Sequence, residues 1–180
     1  MTVDRDAATP GAAPACAASA FELTLMDQAI ALARQGERTP GASPIGCVVV
    51  LDGEVVGQAH NEVGIQHDPT AHAEIVAIRR ACARLGRDDL RGAALYSTLQ
   101  PCGMCTMASV WAHIGRIVYG AGRGDVHRMY FEDRHLDTMD FVTDAYRDDL
   151  EVVGGVLADR CAELYYRPWD DPPPEEQANS

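Results

Sequence analysis

The sequence contains no lysine, and all fifteen of its basic residues are arginine. This absence excludes Schiff-base catalysis by a lysine amine and a phosphate-binding loop of the lysine-dependent type. Acidic residues outnumber basic ones 27 to 15, which gives a formal net charge of −12. Binding to a phosphate backbone needs a basic face, so the charge argues against a nucleic-acid partner, although a local cluster of arginines would escape this argument.

Long apolar stretches and an export signal are also missing. No apolar run approaches the roughly 18 residues that span a bilayer. Residues 1–20 lack the charged-then-apolar pattern of a secretory signal. The six cysteines are irregularly spaced, and without an export signal we expect them to be reduced thiols. The sequence therefore predicts a cytoplasmic protein with no membrane partner.

The chain of 180 residues is long enough for one domain with its own hydrophobic core. Residues 1–19 contain Ala, Pro and Gly but almost no large apolar side chain, which predicts a disordered N-terminal tail. Residues 169–180 include three consecutive prolines and several acids, which predicts a loose C-terminal tail. The folded domain is expected between residues 20 and 168.

Hydrophobic spacing within this domain predicts strands that alternate with helices. Strands are predicted at 45–51, 54–59, 93–98, 117–119 and 151–153. Helices are predicted at 21–35, 71–85, 102–113, 137–146 and 158–166. Asp52-Gly53 is a tight hairpin signal, whereas the connection before the last strand is long enough for a crossover to a parallel strand. The pattern predicts a three-layer α/β/α sandwich with a five-stranded mixed sheet.

Two short motifs carry most of the chemical information. His72 lies two residues before Glu74, and Cys102 and Cys105 follow Pro101 at C-x-x-C spacing. One His and two Cys are ligands that Zn²⁺ prefers, and three protein ligands leave a fourth tetrahedral position open for a catalytic water. Glu74 would be the base for that water, as in the zinc deaminase signature H-x-E followed by P-C-x-x-C.

Two other interpretations of these motifs remain open. The C-x-x-C pair alone could be a redox pair, but that would leave the His-x-Glu motif unexplained. A structural zinc site would need a fourth protein ligand, which His60, His67 or His113 could supply. Such a structural or interaction module would have no need of Glu74.

With these motifs placed, residues 21–167 resemble the cytidine-deaminase-fold proteins. The stretches 67–74 and 155–161 are similar to the bacterial tRNA adenosine deaminases. The resemblance implies that His72, Cys102 and Cys105 hold zinc and that Glu74 shuttles protons. It also implies that Asn61 and Ala71 contact the substrate, although Asn61 could instead be a loop residue that caps a turn.

Two further features resemble the bacterial guanine deaminases. Trp111 stands six residues after the second zinc cysteine, where those enzymes carry a Trp near the bound base. Asp133, in Phe131-Glu132-Asp133, resembles an acid that pairs with the donor edge of guanine, which a carboxylate can accept in a fork. Trp111 could instead be a core residue, and Asp133 could be a solvated loop acid.

The expected function is therefore zinc-dependent hydrolytic deamination of a free nucleobase or nucleoside, with guanine preferred. Cytosine or another amino-heterocycle is the alternative, because residues 165–170 resemble the C-terminal aromatic and acid of fungal cytosine deaminases. Deamination of tRNA adenosine is a second alternative within the fold. The resemblance also implies a homodimer.

Overall fold

The computed structural model describes residues 18–131, 137–145 and 147–173. The five strands are β1 (Ser43–Leu51), β2 (Glu54–Asn61), β3 (Ala94–Leu99), β4 (Arg116–Ala121) and β5 (Glu151–Val153). The helices are α1 (Ala20–Glu37), α2 (Val63–Gln66), α3 (Ala73–Leu85), α4 (Gly103–Trp111), α5 (Thr138–Asp144) and α6 (Ala158–Ala162). A 3₁₀ turn spans Arg128–Tyr130.

The strands form one mixed sheet in the order β2-β1-β3-β4-β5. β1 pairs antiparallel with β2 and β3, whereas β3, β4 and β5 run parallel. Asp52 and Gly53 join β1 to β2 with positive φ angles of 51° and 80°, as the hairpin signal predicts. The parallel fifth strand confirms the predicted crossover, and the sheet as a whole confirms the predicted fold class.

Helices cover both faces of the sheet because alternate strand residues point to opposite sides. On one face, Val76 and Ile78 of α3 pack with Val49 and Leu95 of the sheet, together with Val142 of α5. This hydrophobic cluster forms one layer boundary of the three-layer sandwich.

The opposite face of the sheet carries a second cluster. Leu25 and Met26 of α1 pack there with Val48, Val118 and Cys161, the last of which lies on α6. The two clusters confirm the predicted sandwich architecture, in which the sheet is the middle layer.

The largest difference from the predicted elements is at the C-terminal end of the domain. The predicted helix 158–166 ends at Ala162, and the chain continues in turns in which Leu164 N–H donates to the carbonyl of Cys161. The helix ends early because the backbone of Tyr166 bonds elsewhere: its N–H donates to the hydroxyl of Tyr130, and its carbonyl accepts from the His127 N–H. These tertiary contacts override the local helical pattern.

The other boundaries differ from prediction by up to two residues. The short helix α2 and the 3₁₀ turn at Arg128–Tyr130 have no counterpart among the predicted elements. Ser19, assigned to the N-terminal tail, caps α1: its hydroxyl accepts from the N–H of Glu22, and the Glu22 carboxylate accepts from the Ser19 N–H. Residues 1–17 and 174–180 lie outside the described part of the chain, so both tails stay predictions. Among the described residues, no helix is long and apolar enough to cross a membrane.

Candidate active site

The three predicted metal ligands converge at the starts of two helices on the same face of the sheet. His72 is the N-cap residue of α3, Cys102 is the N-cap residue of α4, and Cys105 lies in the first turn of α4. α3 follows β2 and α4 follows β3, and the sheet brings the two helix starts together because only β1 lies between these strands. The exposed N–H groups of a helix start favour the negative charge of a thiolate or carboxylate.

The geometry of the three ligand atoms fits zinc. His72 Nδ1 lies 3.7 Å from Cys102 Sγ and 3.6 Å from Cys105 Sγ, and the two sulfur atoms lie 3.6 Å apart. Tetrahedral zinc with ligand distances of about 2.0–2.3 Å sets its ligand atoms roughly 3.3–3.8 Å apart. The triangle therefore has the size that a tetrahedral zinc ion requires. No fourth His, Cys, Asp or Glu of the described residues joins it, so the fourth position would be left for a non-protein ligand.

The two thiols differ in how readily they ionise. The pKa of Cys102 is lowered to about 4, first by its hydrogen bond with Cys105 and also by the neighbouring His72. The pKa of Cys105 is raised well above its ordinary value, because it shares the hydrogen bond with the Cys102 thiolate and is buried. A bound dication would favour the thiolate form of both, since the metal ligand is the deprotonated sulfur.

Glu74 is buried beside the ligand triangle, with 4% of its surface exposed. Its Oε1 accepts a hydrogen bond of 2.9 Å from the Ser97 hydroxyl, and its Oε2 lies 3.5 Å from Cys105 Sγ. Burial, followed by the charge of Cys102, raises the pKa of this carboxyl group. Ser97 fixes one carboxylate oxygen, so the orientation of Glu74 beside the ligand triangle is set by a buried hydrogen bond.

The structure brings Asn61 to the site but gives Ala71 a different environment. Asn61 is 5% exposed and lines a cavity together with His72, while its Oδ1 accepts from the Val63 N–H over 3.2 Å. Asn61 thus caps the turn into α2 and also faces the cavity. Ala71 is fully buried in the hydrophobic cluster under α3, and its carbonyl accepts from the Glu62 N–H. The substrate contacts of both stay predictions.

Trp111 and Asp133 are not brought to this site by the described part of the structure. Trp111 lies at the end of α4 with 78% of its surface exposed, so it is neither the core residue that was one interpretation nor a residue that lines the cavity. Asp133 lies outside the described residues. Trp169 is 80% exposed, and Asp170 accepts from the Arg167 N–H within its own turn.

The cavity has a volume of about 800 Å³. Its other lining residues are Glu37, Ala42, Ser43, Pro44, Ile45, Val63, Pro69, Met129, Tyr130, Glu163, Leu164, Tyr165 and Tyr166. The resemblance to fungal cytosine deaminases included Tyr165, Tyr166 and the Pro44-Ile45 pair, and the resemblance to tRNA deaminases included Pro69, but sequence reasoning missed the others. No local pattern identifies the others, because the lining residues come from segments that are far apart in the sequence.

The aromatic side of the cavity is held rigidly. The Tyr165 hydroxyl lies 2.7 Å from Thr98 Oγ1, which in turn accepts from the Gly46 N–H over 3.1 Å. The Tyr130 and Tyr165 rings meet edge to face with centroids 5.2 Å apart. These contacts join the C-terminal segment to β1 and β3, so the cavity wall is part of the folded core.

Comparison with known proteins agrees with this geometry. The profile of the cytidine and deoxycytidylate deaminase zinc-binding region matches residues 20–121. The chain belongs to this deaminase family. Its zinc-binding motif is the one built from His72, Cys102 and Cys105.

Relatives with different substrates lie at similar distances from this deaminase. The guanine deaminase of Bacillus subtilis is 38% identical over 113 residues, which cover 63% of this chain and 72% of that protein. The tRNA-specific adenosine deaminase of the same organism is 36% identical over 142 residues, which cover 76% and 81% of the two chains. A solved structure of a tRNA deaminase that edits adenosine to inosine at the wobble position is 37% identical with a TM-score of 0.66, covering 78% of this chain and 98% of that one.

The residues of the site can divide the work of a hydrolytic deamination. Zinc, when bound by His72, Cys102 and Cys105, supplies a Lewis acid that activates water near neutral pH. Glu74, whose carboxylate lies beside the ligand triangle, would be the group that takes a proton from water and returns protons to the ring nitrogen and the departing amine of the substrate. The net reaction consumes water, replaces the exocyclic amine by a carbonyl oxygen and releases ammonia.

Proposed function

We propose that this deaminase acts on a free nucleobase or nucleoside and that guanine is its preferred substrate. The observation that carries the proposal is the character of the cavity beside His72. Its walls include Ile45, Tyr130 and Tyr165, which suit a planar heteroaromatic ring. Its charged lining residues among those described, apart from the zinc ligand, are the exposed carboxylates of Glu37 and Glu163.

The exposed carboxylates that line the cavity favour a neutral substrate over a polyanionic one. Each phosphate contact needs a compensating cation, and none of the described lining residues is an arginine. The net charge of −12 also repels a polyanionic substrate over longer distances. Deamination of tRNA adenosine is the second candidate, because the alignment with the tRNA-specific enzyme of Bacillus subtilis spans more of both chains than the guanine deaminase alignment does.

Asn61 and Asp133 are the proposed polar contacts to the base. A side-chain amide carries two N–H donors besides its oxygen, so Asn61 can accept from the Val63 N–H through Oδ1 and still donate to a ring acceptor. Asp133 is proposed as the acceptor for the adjacent N–H groups of guanine. The preference for guanine depends on this pairing, since cytosine and adenine present different donor edges.

The test is ammonia release measured over guanine, guanosine, cytosine, adenine, cytidine and tRNA. We expect guanine to give the highest kcat/KM, and we expect Asp133→Ala to lower it by at least about tenfold, the scale of a lost charged hydrogen bond. Glu132→Ala changes the neighbouring acid and is the matched control, which should stay close to wild type. Activity confined to tRNA, or best with cytosine and unaffected by Asp133→Ala, would contradict the guanine assignment.

A homodimer and a cytoplasmic location are proposed with this function. On α4, Met104, Met107 and Trp111 are spaced along one outer face; the two methionines are partly exposed and Trp111 largely so. Such an apolar stripe fits a second copy of the chain better than water. The cysteines of the described residues are free thiols, which supports a reducing compartment.

A further inference from the structure

The loop that carries the first zinc cysteine is bound to the start of α5. Thr138 is 2% exposed, and its hydroxyl donates to the carbonyl of Pro101 over 2.9 Å. The side-chain amide of Gln100 donates to Asp137 Oδ1 over 2.7 Å. Asp137 is itself the N-cap residue of α5. The two residues that precede Cys102 are thus tied to the first turn of a helix far along the chain.

Gln100 also ties the same loop to the end of β4. Its backbone N–H donates to the carbonyl of Ala121 over 2.8 Å, and its Oε1 accepts from the backbone N–H of Arg123 over 3.2 Å. Gln100 is 5% exposed. The zinc loop is therefore held from two sides through the buried Gln100: its backbone and Oε1 bond the end of β4 and the residues after it, and its amide nitrogen bonds the start of α5.

Gly103 shows how closely α5 approaches the metal ligands. It lies between Cys102 and Cys105, and a Cβ atom at this position would stand only 2.8 Å from Cε2 and 3.2 Å from Cε1 of Phe141. Gly103 does not have the positive φ that requires a glycine. The ring of Phe141 thus fills the space that a side chain at residue 103 would occupy.

We propose that α5 is a clamp that positions the zinc ligands and that Gly103 and Phe141 are its complementary pair. Thr138 and Gln100 fix the backbone before Cys102, while the Phe141 ring packs directly on the backbone between the two cysteines. Residues outside the ligand set that orient ligands in this way influence metal affinity strongly. The inference goes beyond the proposed function, because it concerns the metal site and holds for any substrate.

The pair can be tested by a double-mutant cycle on the full chain. Gly103→Ala is expected to weaken zinc binding by about tenfold to a hundredfold, the usual effect of disturbing such supporting contacts. Alanine favours a helix more than glycine does, so a loss of zinc affinity would come from the steric clash of the new Cβ with the Phe141 ring. Phe141→Ala in the same chain removes the ring and with it the steric clash. The double variant is therefore expected to bind zinc more tightly than Gly103→Ala alone.

Zinc affinity is measured by competition with a chromophoric chelator, and the absorption spectrum of the Co²⁺-substituted protein reports the geometry of the thiolate ligands. Gly124→Ala is the matched control, because a Cβ at this exposed glycine would meet nothing within 4 Å. It should leave both measurements unchanged. Wild-type zinc affinity and an unaltered Co²⁺ spectrum in Gly103→Ala, or additive effects of the two substitutions, would overturn the proposal.

Thr138→Val provides a second route if Gly103→Ala does not fold. The change removes the hydroxyl that donates to Pro101 while keeping a side chain of similar shape. We expect zinc affinity to fall with a Co²⁺ spectrum that differs from wild type. Unchanged zinc affinity in a folded Thr138→Val protein would contradict a clamp at this end of α5.

Discussion

At the residue scale, the candidate zinc site depends on three side chains together. The ligand atoms of His72, Cys102 and Cys105 form a triangle with edges of 3.6–3.7 Å. Removing one corner leaves two ligands, which is too few for a tetrahedral zinc site with an open position. Glu74 is close to the triangle but has its own partner, Ser97. The ligands and the proton-carrying group can therefore be separated by mutation.

The first prediction concerns the metal. Cys102→Ser should lose most of the zinc, because an alcohol is a much poorer ligand than a thiolate with a pKa lowered to about 4. Zinc content per chain, measured by elemental analysis after dialysis, checks the result. Cys82→Ser is the control, since Cys82 lies outside the ligand triangle. Full zinc retention by Cys102→Ser would rule out the proposed ligand set.

The second prediction separates metal binding from proton transfer. Glu74→Gln should keep zinc and the fold but lower kcat by at least about a hundredfold, since the amide cannot carry the proton. The Ser97 hydroxyl can still donate to the amide oxygen, so the side chain should remain in position. Near wild-type kcat would require another base. Loss of zinc would instead identify Glu74 as a ligand.

At the scale of elements, α1 is joined to the sheet through its first turn. Glu22 closes the capping box with Ser19 and also pairs with Arg116 on β4 at 2.6 Å. The backbone N–H of Ser19 is the largest cause that lowers the pKa of Glu22; the Ser19 hydroxyl and Arg116 add to it. Because the folded-state pKa is lowered, the stabilisation is complete above the ordinary Glu pKa and is lost as pH falls through the folded-state value.

The third prediction follows from the lowered pKa of Glu22. Glu22→Ala should lower stability at pH 7 by about 1 kcal/mol, the usual cost of losing a helix cap. For a domain of this size the change corresponds to roughly 2–4 °C in Tm. The difference from wild type should stay constant from pH 7 down to the ordinary Glu pKa of about 4.3 and shrink only below it, as followed by urea unfolding. Glu151→Ala removes the more exposed partner of Arg116 and should have a smaller effect. If the difference in the free energy of unfolding between wild type and Glu22→Ala grew at acid pH, the pKa of Glu22 could not be lowered in the folded state.

At the scale of the whole molecule, the acidic balance and the apolar face of α4 lead to different expectations. Net charge acts on association with distant charged partners, whereas Met104, Met107 and Trp111 offer a local surface for another apolar face. Trp111 is the most exposed of the three, at 78%. Its place on the outside of α4 fits an interface between copies better than direct contact with a base inside the cavity.

The fourth prediction concerns assembly. Trp111→Glu should convert a homodimer into a monomer, because the substitution places a carboxylate in an apolar contact. Light scattering coupled to size exclusion reports the mass directly. Trp169→Glu changes another exposed tryptophan, 80% exposed and outside α4, and should leave the dimer intact. A wild-type protein that is monomeric at all concentrations would exclude the proposed interface.

The sequence by itself predicted the candidate metal ligands, which the structure brings together, and the order of the elements. His72-x-Glu74 and Cys102-x-x-Cys105 are local patterns, and their chemistry follows from ligand type and spacing along the chain. The alternation of strands and helices also follows from local periodicity, which is why the mixed sheet and its parallel fifth strand agree with prediction. Local patterns survive folding because neighbours in sequence remain neighbours in space.

Only the tertiary structure decided the walls of the cavity and the support of the zinc loop. Tyr165 meets Thr98, and Phe141 meets Gly103, across sequence separations that no periodicity encodes. The early end of α6 and the exposure of Trp111 have the same origin. All of these features depend on which faces of the helices and strands pack together. Close packing of the whole core decides this, and the residues adjacent in sequence do not.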